Sequence, residues 1–339
     1  MSAKILFSNE ANVDKNAISE IAKALKEGSL AVFPTETVYG LAANAYDETA
    51  IAKIFEAKGR PQDNPLIVHI ASIDTLYELA STVPKTALKC AEKFWPGPLT
   101  MVLPKTEKVP NAVSAGLSTV AVRMPLNQTA RDIIEKSGLP LAAPSANISG
   151  SPSPTTAQHV LNDMNGKIDA VVMGESCDVG VESTVITLAG EHPVLLRPGG
   201  VTLEQLQEIL PDIKVNPAVL SELKANEEAA SPGMKYKHYA PKTETFLVEG
   251  DTFADFVNRQ NGAVAICFSE EAKEIKIPKI IYGSKENSES LAQSIFAVLR
   301  EIDEKGFDTA YIHAPKKDGI GLAVYNRLIR AAAFKVITL

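Results

Sequence analysis

From Lys242 to Leu339 the chain alternates between short apolar runs and amphipathic helical patterns, and this rhythm restricts the fold more than any other feature. TETFLVE, GAVAICF, IKIPKIIYG, TAYIHA and FKVITL read as strands. Helical patterns near 251–259, 286–304 and 319–332 separate them, with a short helix expected after GAVAICF. Strand, helix, strand at this spacing predicts a small open parallel sheet covered by helices.

The earlier part is also α/β, with a less even rhythm. Asp14 opens a helical pattern with Ile18, Ile21, Ala22 and Leu25 on one face, closed by Gly28. Further helices are expected at about 48–58, 85–95, 127–137 and 155–165, with Asn127 and Thr155 as N-caps and Gly138 and Gly166 as C-caps. LAVFP, LIVHI, LTMVL, TVAVRM, LPLAA, AVVMG, STVITL and PVLLR read as strands. A helix at about 202–210 precedes a stretch with little periodicity that ends in SPGMKYKHYAP. The boundaries that follow are a first domain over 1–210, a linker over 211–242 and a second domain over 243–339, in keeping with a chain of 339 residues at roughly 150 per domain.

A net charge of -7 excludes a protein coated in basic residues for duplex binding, so any anion must be held locally. Cys90, Cys177 and Cys267 are isolated, with no CxxC, which indicates neither a zinc site nor a disulfide framework and suits a reducing cytoplasm. The first residues, MSAKILFSNEANVDK, lack the apolar core of a signal peptide, and no run approaches 18 apolar residues, so a cytoplasmic protein with no membrane span is expected. Neither GxGxxG after a strand nor GxxxxGK[ST] is present.

Lys58 and Arg60, in KGRPQDNPLIVH, sit where Pro61 must end a helix. Cations in a last helical turn can simply complement the helix dipole. Here, however, Asn64-Pro65 leads straight into an apolar strand, which fixes the loop against the core. Alternation puts Leu66 and Val68 on one face of that strand and Ile67 and His69 on the other, so His69 is either a satisfied core residue or a cleft residue. In STVAVRMP, Val120 and Val122 face one way and Thr119, Ala121 and Arg123 the other. A buried arginine needs a partner, either a ligand's carboxylate or a structural Asp or Glu. Arg197 repeats the arrangement ahead of a Pro-Gly turn in LLRPGG.

APSANISGSPS, from Ala143 to Ser153, leaves a strand with small side chains and hydroxyls. It can be a surface loop, or a phosphate cradle of a kind other than the P-loop. Glu182-Ser183-Thr184 adds hydroxyls at another strand start. The linker's Lys235, Tyr236, Lys237, His238 and Tyr239 suit either a solvated tether or a lid over an anion.

Taken together, FPTETVYGL, KGRPQDNPLIVHI, WPGPLT, TVAVRMP, APSANISGSPSPT, ESTVI, LLRPGG and SPGMKYKHYAP resemble the YrdC-like threonylcarbamoyl-AMP synthases, and GIGLAVYNRLIRAAA resembles their longer, two-domain form. The resemblance implies a YrdC-type twisted mixed α/β sheet with a concave active-site cleft, a linker folding over it and a smaller Rossmann-like domain. It implies a nucleotidyltransferase that joins L-threonine, bicarbonate or CO2, and ATP into L-threonylcarbamoyl-AMP and pyrophosphate, with Mg2+ accompanying ATP. The product then passes to a tRNA threonylcarbamoyl transferase for modification next to the anticodon, with a transient contact to tRNA itself left open.

By the same resemblance, Thr35, His69, Arg123, Ala143 and Ser183 are expected at threonine. Lys58, Arg60, Asn64, Thr119, Ser145, Asn147, Ser153, Arg197, Tyr236 and His238 are expected at ATP, with Lys58 and Arg60 catalytic and no resident metal ligands. One rival reading is an RNA-binding module that uses the cationic cleft without catalysis. Another is carbamoyl transfer, as in hydrogenase-maturation enzymes, whose zinc modules the three cysteines exclude.

Overall fold

The computed structural model describes residues 4–9, 12–13, 15–174, 176–222 and 239–339. The first domain contributes β1 (Lys4–Asn9), β2 (Asn12–Val13), β3 (Ala31–Phe33), β4 (Gly40–Asn44), β5 (Ile67–His69), β6 (Leu99–Pro104), β7 (Thr119–Arg123), β8 (Leu141–Ala142), β9 (Ala170–Met173), β10 (Thr184–Thr187), β11 (Val194–Arg197) and β12 (Lys214–Val215). They form one mixed sheet in the order β12-β11-β10-β6-β7-β5-β8-β4-β3-β9-β1-β2. β5 runs parallel to β7 and antiparallel to β8, while β6 runs antiparallel to β7 and parallel to β10.

The second domain contributes β13 (Glu244–Glu249), β14 (Ala263–Phe268), β15 (Lys279–Gly283), β16 (Thr309–His313) and β17 (Val336–Thr338), in the order β15-β14-β16-β13-β17. All its pairs are parallel, as the strand-helix rhythm predicts. The helices Ser288–Lys305 and Gly321–Ala331 bury Leu291, Ile295, Phe296, Leu299, Val324 and Leu328 against it.

Most predicted elements are present. Asn127 and Gly138 cap the helix Gln128–Ser137 as expected. The helix Ala157–Met164 begins one residue later than predicted, because the Thr156 hydroxyl, and not that of Thr155, accepts the His159 N–H; it is closed by Asn165. The short helix expected after β14 is a series of turns at 269–274, tied by the Glu271 carboxylate accepting the Phe268 N–H. The predicted linker start also shifts: Lys214 and Val215 pair with β11, and a 3-10 turn, Pro217–Val219, follows, so the first sheet reaches into the stretch read as linker. Among the described residues no helix is long and apolar enough to cross a membrane.

Candidate active site

The helix Glu48–Lys58 starts at Asp47, whose carboxylate accepts the N–H groups of Thr49 and Ala50, and ends at Gly59 with φ of 61°. That left-handed cap turns the chain so that Lys58 points inward and Arg60 follows directly. β5 and β7 lie side by side in parallel, with His69 in register with Arg123. Their period-2 alternation sends Leu66, Val68, Val120 and Val122 into the main core and turns Ile67, His69 and Arg123 to the opposite face.

On that face opens a cleft, walled also by Thr35, Ala143, Ser145, Asn147, Ser183 and Arg197. Lys58 and Arg60 line it as well. Ten of the predicted residues, drawn from six separate stretches of sequence, thus meet in one cavity.

Arg123 has a structural partner, one of the two alternatives the sequence left open. Its Nη2 donates to Glu36 Oε1 at 2.6 Å, its Nη1 to Thr37 Oγ1 at 2.9 Å and its Nε to the Gly97 carbonyl at 3.3 Å. Among the described residues these bonds use one N–H of each terminal nitrogen and leave the other. Thr35 Oγ1 donates to the Val38 carbonyl at 2.6 Å and accepts the N–H groups of Thr37 and Val38, so the polar TETV turn is stapled by its own hydroxyl. His69 is buried, and its Nδ1 has no hydrogen-bond partner among the described residues. Burial, and then the neighbouring Arg123 charge, push its pKa down to about 3, so the ring is a neutral imidazole at ordinary pH.

On the other side, Lys58 Nζ donates to the carbonyls of Ser145 and Asn147, the latter at 2.7 Å, and so pins the small-residue loop to the helix end. Burial, reinforced by Arg60, lowers its pKa well below the usual lysine range. Arg60 Nη2 donates to the carbonyls of Asn64 and Pro65 at 2.9 and 3.1 Å. Ser145 Oγ donates to Asn147 Oδ1 at 2.6 Å. Arg197 donates from Nε and Nη2 to the Ser183 carbonyl at 3.1 and 3.0 Å, and Ser183 Oγ shares a 2.8 Å hydrogen bond with Thr100.

Three predicted residues stand back from the cleft. Asn64 is fully buried behind it, with neither amide atom partnered among the described residues. Thr119 lies at the start of β7, on the same face as Arg123 but at the strand's other end, beside Pro104. Ser153 is buried and donates to Glu182 Oε1 at 2.6 Å, so it supports the wall from behind. Tyr236 and His238 fall outside the described residues.

Glu182 and Tyr239 line the cleft without having been predicted, and Glu36 and Thr37 complete the Arg123 site. The available signal was the charge of Glu36 and Glu182 inside apolar, hydroxyl-rich stretches, where an unpaired carboxylate would be costly. Burial alone would raise the Glu182 pKa, but Arg327 and then Arg197 outweigh it and hold the carboxyl at about 2. Among the described residues no group of three or more His, Cys, Asp or Glu is placed to hold a metal ion.

Two family models match the chain. The Sua5/YciO/YrdC model, described as telomere recombination, matches residues 23–199, and the Sua5 C-terminal model, described as threonylcarbamoyl-AMP synthase, C-terminal domain, matches residues 201–333. A threonylcarbamoyl-AMP synthase of Pyrococcus abyssi is 46% identical over 340 residues, covering 98% of this chain and 99% of the relative. One of Bacillus subtilis is 42% identical, covering 97% of each. The crystal structure of P. abyssi Sua5 complexed with L-threonine superposes with a TM-score of 0.91 at 43% identity, covering 99% of both chains. Escherichia coli YciO, at 21% identity and a TM-score of 0.53 over 58% of this chain and 96% of its own, shares the fold of the first domain.

Proposed function

This chain belongs to the Sua5/YciO/YrdC family in its two-domain threonylcarbamoyl-AMP synthase form, and from that premise we propose how its cleft joins L-threonine, bicarbonate or CO2, and ATP. The enzyme makes L-threonylcarbamoyl-AMP. The observation that carries the division of labour is the convergence of cations, hydroxyls and a neutral imidazole in one cleft.

Both reactants of the bond-forming step are anions. Threonine's amine nitrogen bonds the carbon of CO2 and releases a proton, giving a carbamate. A carbamate oxygen then attacks the α-phosphorus of ATP, and the bond from that phosphorus to pyrophosphate breaks. No covalent enzyme intermediate is needed, so the protein's contribution is positioning and charge neutralisation.

Threonine fits the end walled by Thr35, His69, Arg123, Ala143 and Ser183. The remaining N–H groups of Arg123 meet its carboxylate in charge-assisted hydrogen bonds, while Glu36 keeps the guanidinium fixed. His69, held neutral, offers an imidazole nitrogen without adding charge. ATP takes the side walled by Lys58, Arg60, Ser145, Asn147 and Arg197. There the Lys58 bonds hold the loop backbone in place and Arg60 faces the transferring phosphate. Mg2+ enters with the nucleotide as part of the substrate, since Glu36 and Glu182, the carboxylates near the cleft, each give one oxygen to an arginine whose positive charge opposes a second cation beside it.

We assign the product to a separate tRNA threonylcarbamoyl transferase and the enzyme to the cytoplasm, the latter supported by three free, buried cysteines. The RNA-module reading is set aside: a near full-length relative is known in complex with L-threonine, and the cleft's cations are few and set among small side chains. The deciding assay is pyrophosphate release from Mg-ATP with bicarbonate as each amino acid is added in turn. Release requiring threonine and bicarbonate together is the expected result. Release without threonine, or none with any amino acid, would overturn the reading.

A further inference from the structure

We infer that Arg327, on the second domain's helix Gly321–Ala331, is a positioning residue for this reaction, fixing Glu182 and the Arg197 turn so that the first domain's phosphate-facing wall keeps its shape. The inference rests on the reaction proposed above. Arg327 is fully buried, and its Nε donates to Glu182 Oε2 at 2.7 Å across 145 residues of sequence. Its Nη1 donates to the Pro198 carbonyl at 2.9 Å, one residue beyond Arg197, and to Asn326 Oδ1 at 2.8 Å. The guanidinium carbon lies 5.7 Å from the centre of the Tyr239 ring, which also lines the cleft.

Glu182 transmits this grip. Its second oxygen accepts the Ser153 hydroxyl at 2.6 Å, at the end of the small-residue loop, and its backbone leads directly into Ser183. The same loop is held a second time from the second domain. Arg300, paired with Asp163, donates from Nη2 to the Pro152 carbonyl at 2.6 Å. The second domain therefore holds the cleft wall from behind, through contacts with its supports.

A buried ion pair that merely joins two domains would affect stability alone. A positioning pair has a further signature, because Glu182 is ionised through its surroundings. It is faced by Arg327 from the second domain, by Arg197 at the end of β11, by Lys58 from the helix Glu48–Lys58, by the Tyr239 hydroxyl and by the Ser153 hydroxyl. Burial acts to raise its pKa, and Arg327 is the strongest of the groups opposing that. Without Arg327 the carboxyl takes up a proton at higher pH, and the wall changes its hydrogen bonding as it does so.

The test is threonine- and bicarbonate-dependent pyrophosphate release by the full-length chain, measured from about pH 5 to pH 9 beside thermal unfolding. Arg327→Met is expected to fold and to lose rate on the order of a hundredfold. It should also gain an acidic limb absent from wild type, and adding Glu182→Gln should abolish that limb. A folded Arg327→Met with wild-type rate, or with a lower rate and an unchanged pH profile, overturns the inference. If Arg327→Met does not fold, Arg327→Lys decides: it keeps the charge beside Glu182 and loses the bond to Pro198. A lower rate with no acidic limb supports positioning, and wild-type turnover refutes it. Absence of threonine-dependent release in the wild type would instead strike at the reaction.

Discussion

Arg123, on the wall of the cleft, and Glu36 behind it form a buried ion pair, Nη2 to Oε1 at 2.6 Å, at the end proposed to take the substrate carboxylate. The second Glu36 oxygen has no hydrogen-bond partner among the described residues. The pair presets the guanidinium's direction before substrate arrives, which lowers the ordering cost of binding.

Removing one member of such a pair leaves an uncompensated buried charge. Glu36→Gln is expected to lower stability by about 3–5 kcal/mol in denaturant unfolding at neutral pH. Adding Arg123→Met should cost less than the sum of the two single changes, because the orphaned charge is gone. Additive losses, or a Glu36→Gln chain as stable as wild type, would show that the pair is not coupled.

Lys58 and Arg60 should act mainly on rate. Lys58→Met frees the loop carbonyls at Ser145 and Asn147, and Arg60→Ala removes the cation proposed to face the developing phosphate charge. Each is expected to cost about 2–4 kcal/mol of transition-state stabilisation, read as a fall in kcat/KM. Nearly normal turnover in both variants would remove them from the reaction.

His69 carries a pH signature in stability. Folded, it titrates at about 3, and unfolded near 6.5, so between these values the unfolded chain binds a proton that the folded chain does not. Stability should therefore fall as the pH drops below about 6.5 and level off below about 3, with no contribution at neutral pH. At pH 5 the loss from this residue is about 2 kcal/mol. The pH dependence of a His69→Asn chain should be shallower by that amount in urea unfolding, whereas His159, which burial also lowers to about 4, stays common to both chains. Parallel curves would mean that His69 is not buried neutral.

Gly199, the first glycine of LLRPGG, is fixed by a close approach of two backbones. A Cβ there would lie 2.3 Å from the Glu182 carbonyl oxygen and 2.4 Å from the Ser183 carbonyl carbon, so the Arg197 turn could not close on the start of β10. Gly199→Ala should destabilise the chain by about 1–3 kcal/mol and depress turnover by more than that loss explains, as measured by unfolding and pyrophosphate release on one preparation. Unchanged turnover would show that the wall tolerates the shift.

The sequence by itself determined the class of each layer and much of the cleft's membership. Period-2 alternation in LIVHI and TVAVRM placed His69 and Arg123 opposite the core face, and helical periodicity with strand spacing predicted the parallel second sheet, because these patterns are local consequences of backbone geometry. β12, only two residues long, and β4, unmarked by alternation, take their identity from neighbouring strands. Only the tertiary structure decided which carboxylates answer the buried Arg123 and Arg327. Glu36 lies 87 residues from Arg123 and Glu182 lies 145 from Arg327, and Arg327 comes from the other domain. Charge pairing depends on distance in space, and no local periodicity encodes that distance once the chain has crossed between two sheets.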